Sequence, residues 1–335
     1  MLAVIAVYVC VVDPFYHYHP PVAGTSAYFY SQVYQSPGII KNFDFDSLIV
    51  GTSMTENFRA SWFQEKGYET QKISYSGGST KDLATLTNLA FDKQSNIKFI
   101  WTDIEPYQIL ADPDSVIQEV PAYLYNRFLS DDIGYWWNSD VFWTANARVA
   151  EAVLGITHDT DDAYTWEDPN LFSKERILNA FRSEFETLRE NPPVSQIDFE
   201  KLCNTARANI DNYAEIIIAH PDTQFIFYFP PASALYWHRI MLSGEEWILD
   251  LSEYVARELL QYDNVQVYYF QDEYEWITNL DNYRDEGHHT PAINKGIFEK
   301  IMSGEKRLDA ENIDSCFDGM RKWLRTYPFE TLWEP

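Results

Sequence analysis

The sequence predicts an α/β fold: a five-stranded, mainly parallel sheet carrying a large, mostly helical and aromatic-rich insertion. Two alternations of short apolar run and amphipathic helix, at residues 43–103 and 223–301, predict the sheet. Strand, helix, strand, helix, strand reads as parallel βαβ units, whose crossovers are right-handed. A break in that rhythm predicts the insertion. Residues 106 to about 172 place Trp136, Trp137, Trp143 and Trp166 among Asp, Asn and Tyr with no clean period. The 335 residues, 46% of them hydrophobic, allow one large core or two ordinary ones. No stretch has linker composition between two globular units, which favours one domain. That domain spans 43–310, with the insertion at about 106–222. An N-terminal stub and linker, 1–42, precede it, and a C-terminal helical extension, 311–335, follows.

Residues 2–12 are an unbroken apolar run with no Lys or Arg ahead of it. The run is shorter than the roughly 20 apolar residues a spanning helix needs. It also lacks the basic start of a signal peptide. Two readings stay open: the outer end of a membrane anchor, or a buried strand or helix. The Asp13-Pro14-Phe15-Tyr16-His17-Tyr18-His19-Pro20-Pro21 that follows has the character of an interfacial aromatic belt running into a rigid linker, which favours the anchor. Residues 13–42, rich in Pro, Tyr and Gly, read as extended and irregular. With no further ligand at metal spacing, His17 and His19 read as packed or surface histidines.

Residues 47–50, Ser-Leu-Ile-Val, form the first strand. A helix at 55–66 follows the Gly51 turn, with Phe58 and Trp62 at i and i+4 on its inner face and Gly67 as its cap. The second strand, 69–74, ends in Tyr75-Ser76-Gly77-Gly78. Ser79 or Thr80 caps the next helix, which carries Leu83, Leu86, Leu89 and Ala90 inward to about Phe91. Residues 97–103 are the third strand. Past the break, 173–190 is a helix with Ile177, Leu178, Phe181 and Phe185 inward, stopped by Asn191-Pro192-Pro193. A second helix, 198–219, aligns Leu202, Ala206, Ile210, Tyr213 and Ile217 on one stripe. The fourth strand, 223–229, is closed by Pro230-Pro231. Ser243-Gly244-Glu245-Glu246 reads as a capping box opening a helix to about Tyr262. Residues 265–270 are the fifth strand. Thr290 and Pro291 suit the N-cap and first position of a helix to about Ile301, and a last helix covers 313–326.

The net charge of −26, with no basic stripe, excludes nucleic-acid binding and disfavours charge-driven adhesion to an anionic membrane. Aromatics reach 16%, with 11 Trp and 23 Tyr, a supply that suits sugar-binding surfaces as well as cores. Cys10, Cys203 and Cys316 form no C-x-x-C pair, no metal spacing and no disulfide framework, so they leave the compartment open.

Four places align at the ends of the expected strands: Gly51-Thr52-Ser53, Gly77-Gly78, the Asp103/Glu105 segment and Asp285-x-x-His288. In an open α/β sheet, ligands bind outside the carboxyl ends of the strands. A serine hydrolase needs a nucleophile, a base, a group to orient the base, and N–H donors for the oxyanion. Ser53 suits the nucleophile, at the strand-to-helix turn where a helix N-terminus favours negative charge. His288 suits the general base and Asp285 its orienter. The N–H groups of Ser53 and Gly77 suit the oxyanion, glycine because a carbonyl must approach its backbone closely. Thr52, Gly78, Asp103, His289, Trp136 and Trp137 are the candidate substrate contacts. Phosphate binding fits poorly, since the turns lack a Walker lysine and the G-x-G-x-x-G spacing.

On the Gly51-Thr52-Ser53, Gly77-Gly78 and Asp285-x-x-His288 blocks, the chain resembles the SGNH/GDSL hydrolase superfamily over residues 45 to about 105 and 223 to about 301. It is most similar to the membrane-anchored bacterial branch of DltD-like and AlgJ/AlgX-like proteins, in which an Asp-Pro-aromatic segment such as Asp13-Pro14-Phe15 often follows the anchor. The resemblance implies a three-layer α/β/α, flavodoxin-like fold. It implies an esterase or O-acyltransferase acting through an acyl-enzyme on an acylated glycan or cell-envelope polymer, with no metal or other cofactor. It places the protein at the extracytoplasmic face of a bacterial membrane, or secreted, with a membrane acyltransferase as a partner. One block departs from the pattern. The usual Gly-x-Asn-Asp, whose asparagine donates to the oxyanion, is replaced by Thr102-Asp103-Ile104-Glu105, and a carboxylate there repels an oxyanion unless it is protonated or turned away. This departure sustains the competing expectation of a non-catalytic envelope protein that binds a polymer or a partner acyltransferase on the same fold.

Overall fold

Five parallel strands carry the molecule: β1 (Ser47–Gly51), β2 (Thr70–Ser74), β3 (Phe99–Asp103), β4 (Gln224–Phe229) and β5 (Val265–Tyr269). The computed structural model describes residues 2–22, 25–193 and 197–334 and orders them β2-β1-β3-β4-β5. A sixth strand, β6 (Arg307–Leu308), adds to β5 antiparallel at the edge. The sequence predicts only the five, because two residues carry no periodicity to read. Leu48, Ile49 and Val50 are all buried, as a strand covered on both faces requires.

Helices cover both faces. They are, in chain order, α1 (Leu2–Val12), α2 (Gln32–Asn42), α3 (Ala60–Gln64), α4 (Thr80–Lys93), α5 (Pro106–Leu110), α6 (Ile133–Trp136), α7 (Ser139–Leu154), α8 (Lys174–Glu190), α9 (Phe199–Ala219), α10 (Ala234–Ser243), α11 (Trp247–Leu259), α12 (Tyr274–Thr278), α13 (Pro291–Ser303) and α14 (Ile313–Thr326). On one face α2, α4, α9 and α11 pack in succession. There Phe225 and Phe227 of β4 meet Phe91 of α4 and Tyr213 of α9. On the other face the Trp101 ring lies 4.8 Å from Phe63 of α3 and 6.1 Å from Phe298 of α13. The first and last segments do not stand apart. Ile39 and Ile40 of α2 belong to the main core, as do Phe317 and Met320 of α14.

Four local expectations change. The helix predicted at 55–66 is a 3-10 turn, Ser53–Thr55, followed by an irregular link and then α3. The Thr55 hydroxyl donates to the Thr52 carbonyl and the Thr52 hydroxyl accepts from the Met54 N–H, and such local bonds close a tight turn in place of a helix. Ser243 does not open a helix. It ends α10, and Gly244 at φ 65° terminates that helix in the left-handed region. The stretch 13–42 is not irregular throughout, since α2 runs across Pro37. The insertion holds the 16-residue α7, capped by Asn138 and ended by Gly155 at φ 68°. Its period is hidden because its outer side is apolar. Trp143, Val153 and Leu154 are exposed, while Arg148 pairs inward with Glu151.

The N-terminal run is a helix. It packs on α6 and α7, with Val9, Phe15, Leu124, Tyr135 and Val141 as a second small core. Asp13, at φ 43°, organises the segment by accepting the N–H groups of His17, Tyr18 and His19 and the Tyr135 hydroxyl. His17 sits buried between Lys41 Nζ and Asp132 Oδ1, each at 2.9 Å. Burial first, and the Lys41 charge second, push the His17 imidazole below its ordinary range. Among the described residues no helix is long and apolar enough to cross a membrane.

Where α2 meets this segment the two backbones touch. A Cβ on Gly38 would stand 2.1 Å from the Phe15 carbonyl oxygen. Gly38→Ala is therefore expected to lower unfolding stability by about 1–3 kcal/mol, read as a shifted urea midpoint; an unchanged midpoint would show that the crossing yields freely.

Candidate active site

The chain leaves β1 through Gly51, where any side chain would strike Thr55 and Asp103: a Cβ there would lie 2.3 Å from Asp103 Oδ1. That space lets the buried Asp103 carboxylate reach under the turn. It accepts the Thr52 N–H at 2.7 Å and the Thr52 hydroxyl at 2.5 Å. The grip fixes the turn and presents Ser53 above it. Ser53 therefore begins a single 3-10 turn, so the N–H groups themselves, and not a long helix dipole, supply its polarity.

Ser53 Oγ lies 2.8 Å from His288 Nε2, and His288 Nδ1 lies 2.7 Å from Asp285 Oδ2. Residues 235 positions apart thus meet at the sheet's carboxyl edge. Asp285 Oδ1 also accepts the N–H groups of Gly287 and His288 at 3.0 and 2.8 Å. Burial pushes the Asp285 carboxyl upward, but the His288 imidazole and those two N–H groups outweigh it and hold the group below its ordinary range. An ionised Asp285 accepts from Nδ1–H, which leaves Nε2 to accept the Ser53 proton.

Gly77 sits at φ 70°, a left-handed position favouring glycine, in the turn closed by the Gly78 N–H on the Tyr75 carbonyl. Among the described residues neither the Ser53 nor the Gly77 N–H has an acceptor. Both line a cavity of about 790 Å³ with Asp285 and His288. The cavity lies outside β1 and β3, where the strand order reverses. In the flavodoxin-like order, ligands bind at that switch point.

The remaining sequence candidates stand elsewhere. Thr52 and Asp103 are buried beneath the turn and hold it rather than face the cavity. Gly78 is buried and bonded through both its N–H and its carbonyl. His289 is 1% exposed and does not line the cavity. Burial pushes its imidazole down to about 3, so it is held neutral. Trp136 and Trp137 pack at the N-terminal helix, where their indole N–H groups donate to Tyr18 and to the Leu2 carbonyl.

The insertion contributes a different tryptophan. Trp166 meets the His288 ring edge-on at 4.7 Å, under the Arg284 guanidinium, also at 4.7 Å. Its Nε1 donates to Glu56, and its backbone N–H donates to Asn57. Lys72 of β2 ties down the same stretch, donating to the carbonyls of Glu56 at 2.7 Å and Ala163 at 2.8 Å. Sequence reasoning also missed Glu56, Tyr236 and the Arg239–Glu286 pair on the cavity wall. The nearness of Glu56 and Asn57 to Ser53 was the available signal. Neither a protein-family model nor a curated protein matches the chain.

The buried His289 also shapes acid stability. The unfolded imidazole takes a proton near its ordinary 6.5, while the folded one resists until about 3. Stability from this group is present above 6.5 and is lost as pH falls, at up to about 1.4 kcal/mol per pH unit. His289→Asn should flatten the fall in unfolding stability over this window, read by urea titrations at several pH values; an unaltered slope would place the acid sensitivity in other groups.

Proposed function

We propose that the chain is a serine esterase or O-acyltransferase of the SGNH type, on a three-layer α/β/α fold, acting on an acylated glycan or envelope polymer. One observation carries the reading: the unbroken Ser53–His288–Asp285 chain of hydrogen bonds, opening on a cavity with two free N–H groups. Geometry and roles, not chain position, identify such a triad.

The chemistry follows from the residues. His288 Nε2 takes the Ser53 proton as Ser53 Oγ attacks the ester carbonyl carbon. The carbonyl oxygen becomes an oxyanion and accepts from the Ser53 and Gly77 N–H groups. Asp285 stays ionised and stabilises the imidazolium. The tetrahedral intermediate collapses, the alkoxide leaves with the proton from His288, and the acyl group remains on Ser53. Water or a sugar hydroxyl then attacks the acyl-enzyme, with His288 again as base, and the acyl group passes to it. Trp166 and Tyr236 line the cavity as apolar surface of the kind that packs on sugars, each with one ring face under a guanidinium, that of Arg284 and that of Arg239. The non-catalytic alternative is favoured by one feature, the carboxylates that replace the asparagine of the third block.

The extracytoplasmic, membrane-side location that the resemblance implies, and a membrane acyltransferase as partner, belong to the same proposal. Support comes from one surface. Leu2, Val4, Val7 and Val11 of α1 and Trp143, Val153 and Leu154 of α7 are exposed, while Arg148 turns in to pair with the half-buried Glu151 and Asp140, in the first turn of α7, is the helix's one exposed charge. An apolar medium selects charges turned inward and aliphatics turned outward. Contact of this kind lies in the interface plane and spans nothing.

Two measurements test the proposal. A fluorophosphonate probe should add one adduct to the intact protein, absent in Ser53→Ala and reduced about 100-fold or more in rate in His288→Ala; an unlabelled parent protein moves the assignment to the binding alternative. Neutral phosphatidylcholine vesicles should co-sediment the protein, and the double variant Val4→Asp, Val153→Asp should remain in the supernatant. Equal partitioning of parent and variant would remove the membrane-side placement.

A further inference from the structure

The strand order β2-β1-β3 sets three loop starts side by side: Gly77 after β2, Ser53 after β1 and Glu105 after β3. Ser53 is thus flanked by Gly77 on one side and Glu105 on the other, and all three line one cavity. Gly77 brings to that cavity an N–H without an acceptor among the described residues. The opposite flank brings no amide side chain to the cavity, only those of Glu105 and Tyr107.

Hydrogen counting decides what that carboxyl does. Thr52 Oγ1 has one proton, and Asp103 Oδ2 takes it at 2.5 Å. Glu105 Oε2 lies 3.4 Å from the same oxygen, which therefore has no second proton to give it. The Thr52 N–H is likewise committed to Asp103. Burial pushes the Asp103 carboxyl upward too, but Asp103 holds both donors the turn supplies, so the negative charge of the pair is best placed there. A second charge beside the buried Asp103, on the half-buried Glu105, is unfavourable.

Other groups face Glu105 without neutralising it. Tyr107 follows it on α5, and its hydroxyl is a further donor that favours the charged form; Glu105 is also the N-cap of α5, in a capping box with Gln108. From the histidine loop come Asp285, Glu286, His288 and Arg284; from α10 come Tyr236 and Arg239. Glu56 stands beyond Ser53 and is bonded to Ser76 and Trp166. Arg239 is held by Glu286, and Arg284 lies beside Asp285 over Trp166. Among the described residues no cation pairs with Glu105. Burial and the Asp103 charge push the Glu105 carboxyl up to about 8.

We propose that Glu105 stands in the cavity as the neutral carboxylic acid and donates its O–H to the oxyanion formed at Ser53, as a third donor beside the Ser53 and Gly77 N–H groups. The role rests on the esterase or acyltransferase reading above. The proton stays on Glu105 throughout; the hydrogen bond strengthens as the carbonyl oxygen gains charge and relaxes on collapse. The neutral acid thereby does what an amide side chain does at the same place, and on ionisation the donor becomes a repelling charge.

The test compares wild type, Glu105→Gln and Glu105→Ala on 4-nitrophenyl acetate across pH, with fluorophosphonate labelling of Ser53 in each. Wild-type kcat should fall with an alkaline limb near 8, where Glu105 ionises. Glu105→Gln, which keeps a donor, should retain activity within about tenfold and lose that limb, while Glu105→Ala should lose about 100- to 1,000-fold at every pH. An infrared carbonyl band from a protonated carboxylic acid at neutral pH should be present in wild type and absent from Glu105→Gln. Labelling with an alkaline limb unmoved by Glu105→Gln, or with no such band, overturns the role of Glu105 alone. A wild-type protein that takes no label overturns the esterase reading and this role with it.

Discussion

The Asp103 carboxylate under the Thr52 turn is the interaction on which the site depends. Buried, it needs donors, and it takes them from the backbone N–H and the hydroxyl of one residue. A charge satisfied in that way constrains more than it stabilises, since removing a partner would leave it uncompensated. The constraint sets the direction in which Ser53 leaves the strand. It also requires Gly51, because a side chain there would occupy the space of the carboxylate. The stretch Gly51-Thr52-Ser53 is therefore one device, with the glycine admitting the carboxylate, the threonine binding it and the serine presented by both.

The parts of the fold legible in the sequence were those where one physical signal acts alone. Buried parallel strands read as continuous apolar runs, and β1, β3, β4 and β5 were placed within a residue or two on that signal. The Asp285-x-x-His288 spacing was legible because its geometry is local: the same short loop supplies the carboxylate, the two N–H groups that hold it, and the ring. Ser53 was legible from its position after a buried strand. The helix expected after it was not, because Thr52 and Thr55 hydroxyls bond to nearby backbone and compete with helical hydrogen bonds.

Illegible parts share a different cause, two environments acting on one segment. In α7, apolar residues occupy both faces, so period and burial disagree. In α2, Pro37 and Gly38 argue against a helix locally, while packing on α4 and the Phe15 backbone favours it. The tryptophans show the same limit. Composition singled out the adjacent pair Trp136 and Trp137, which serve the N-terminal packing, while the single Trp166 reaches His288. Which of several equivalent rings approaches a distant loop is decided by tertiary contacts such as Lys72 on the Ala163 carbonyl, and no local pattern records them.

That lysine bears on how the cavity meets a ligand. Lys72 projects from the edge strand β2 and holds the backbone on both sides of the cavity wall, near Glu56 and near Trp166. Cutting either contact would take one of its two close carbonyls from a buried ammonium, so opening the wall there is costly. The insertion is consequently a fixed rim and not a hinged cover. Association with such a rim proceeds in one step, at a rate proportional to ligand concentration with no ceiling set by closure, and discrimination among ligands falls to shape and charge already in place.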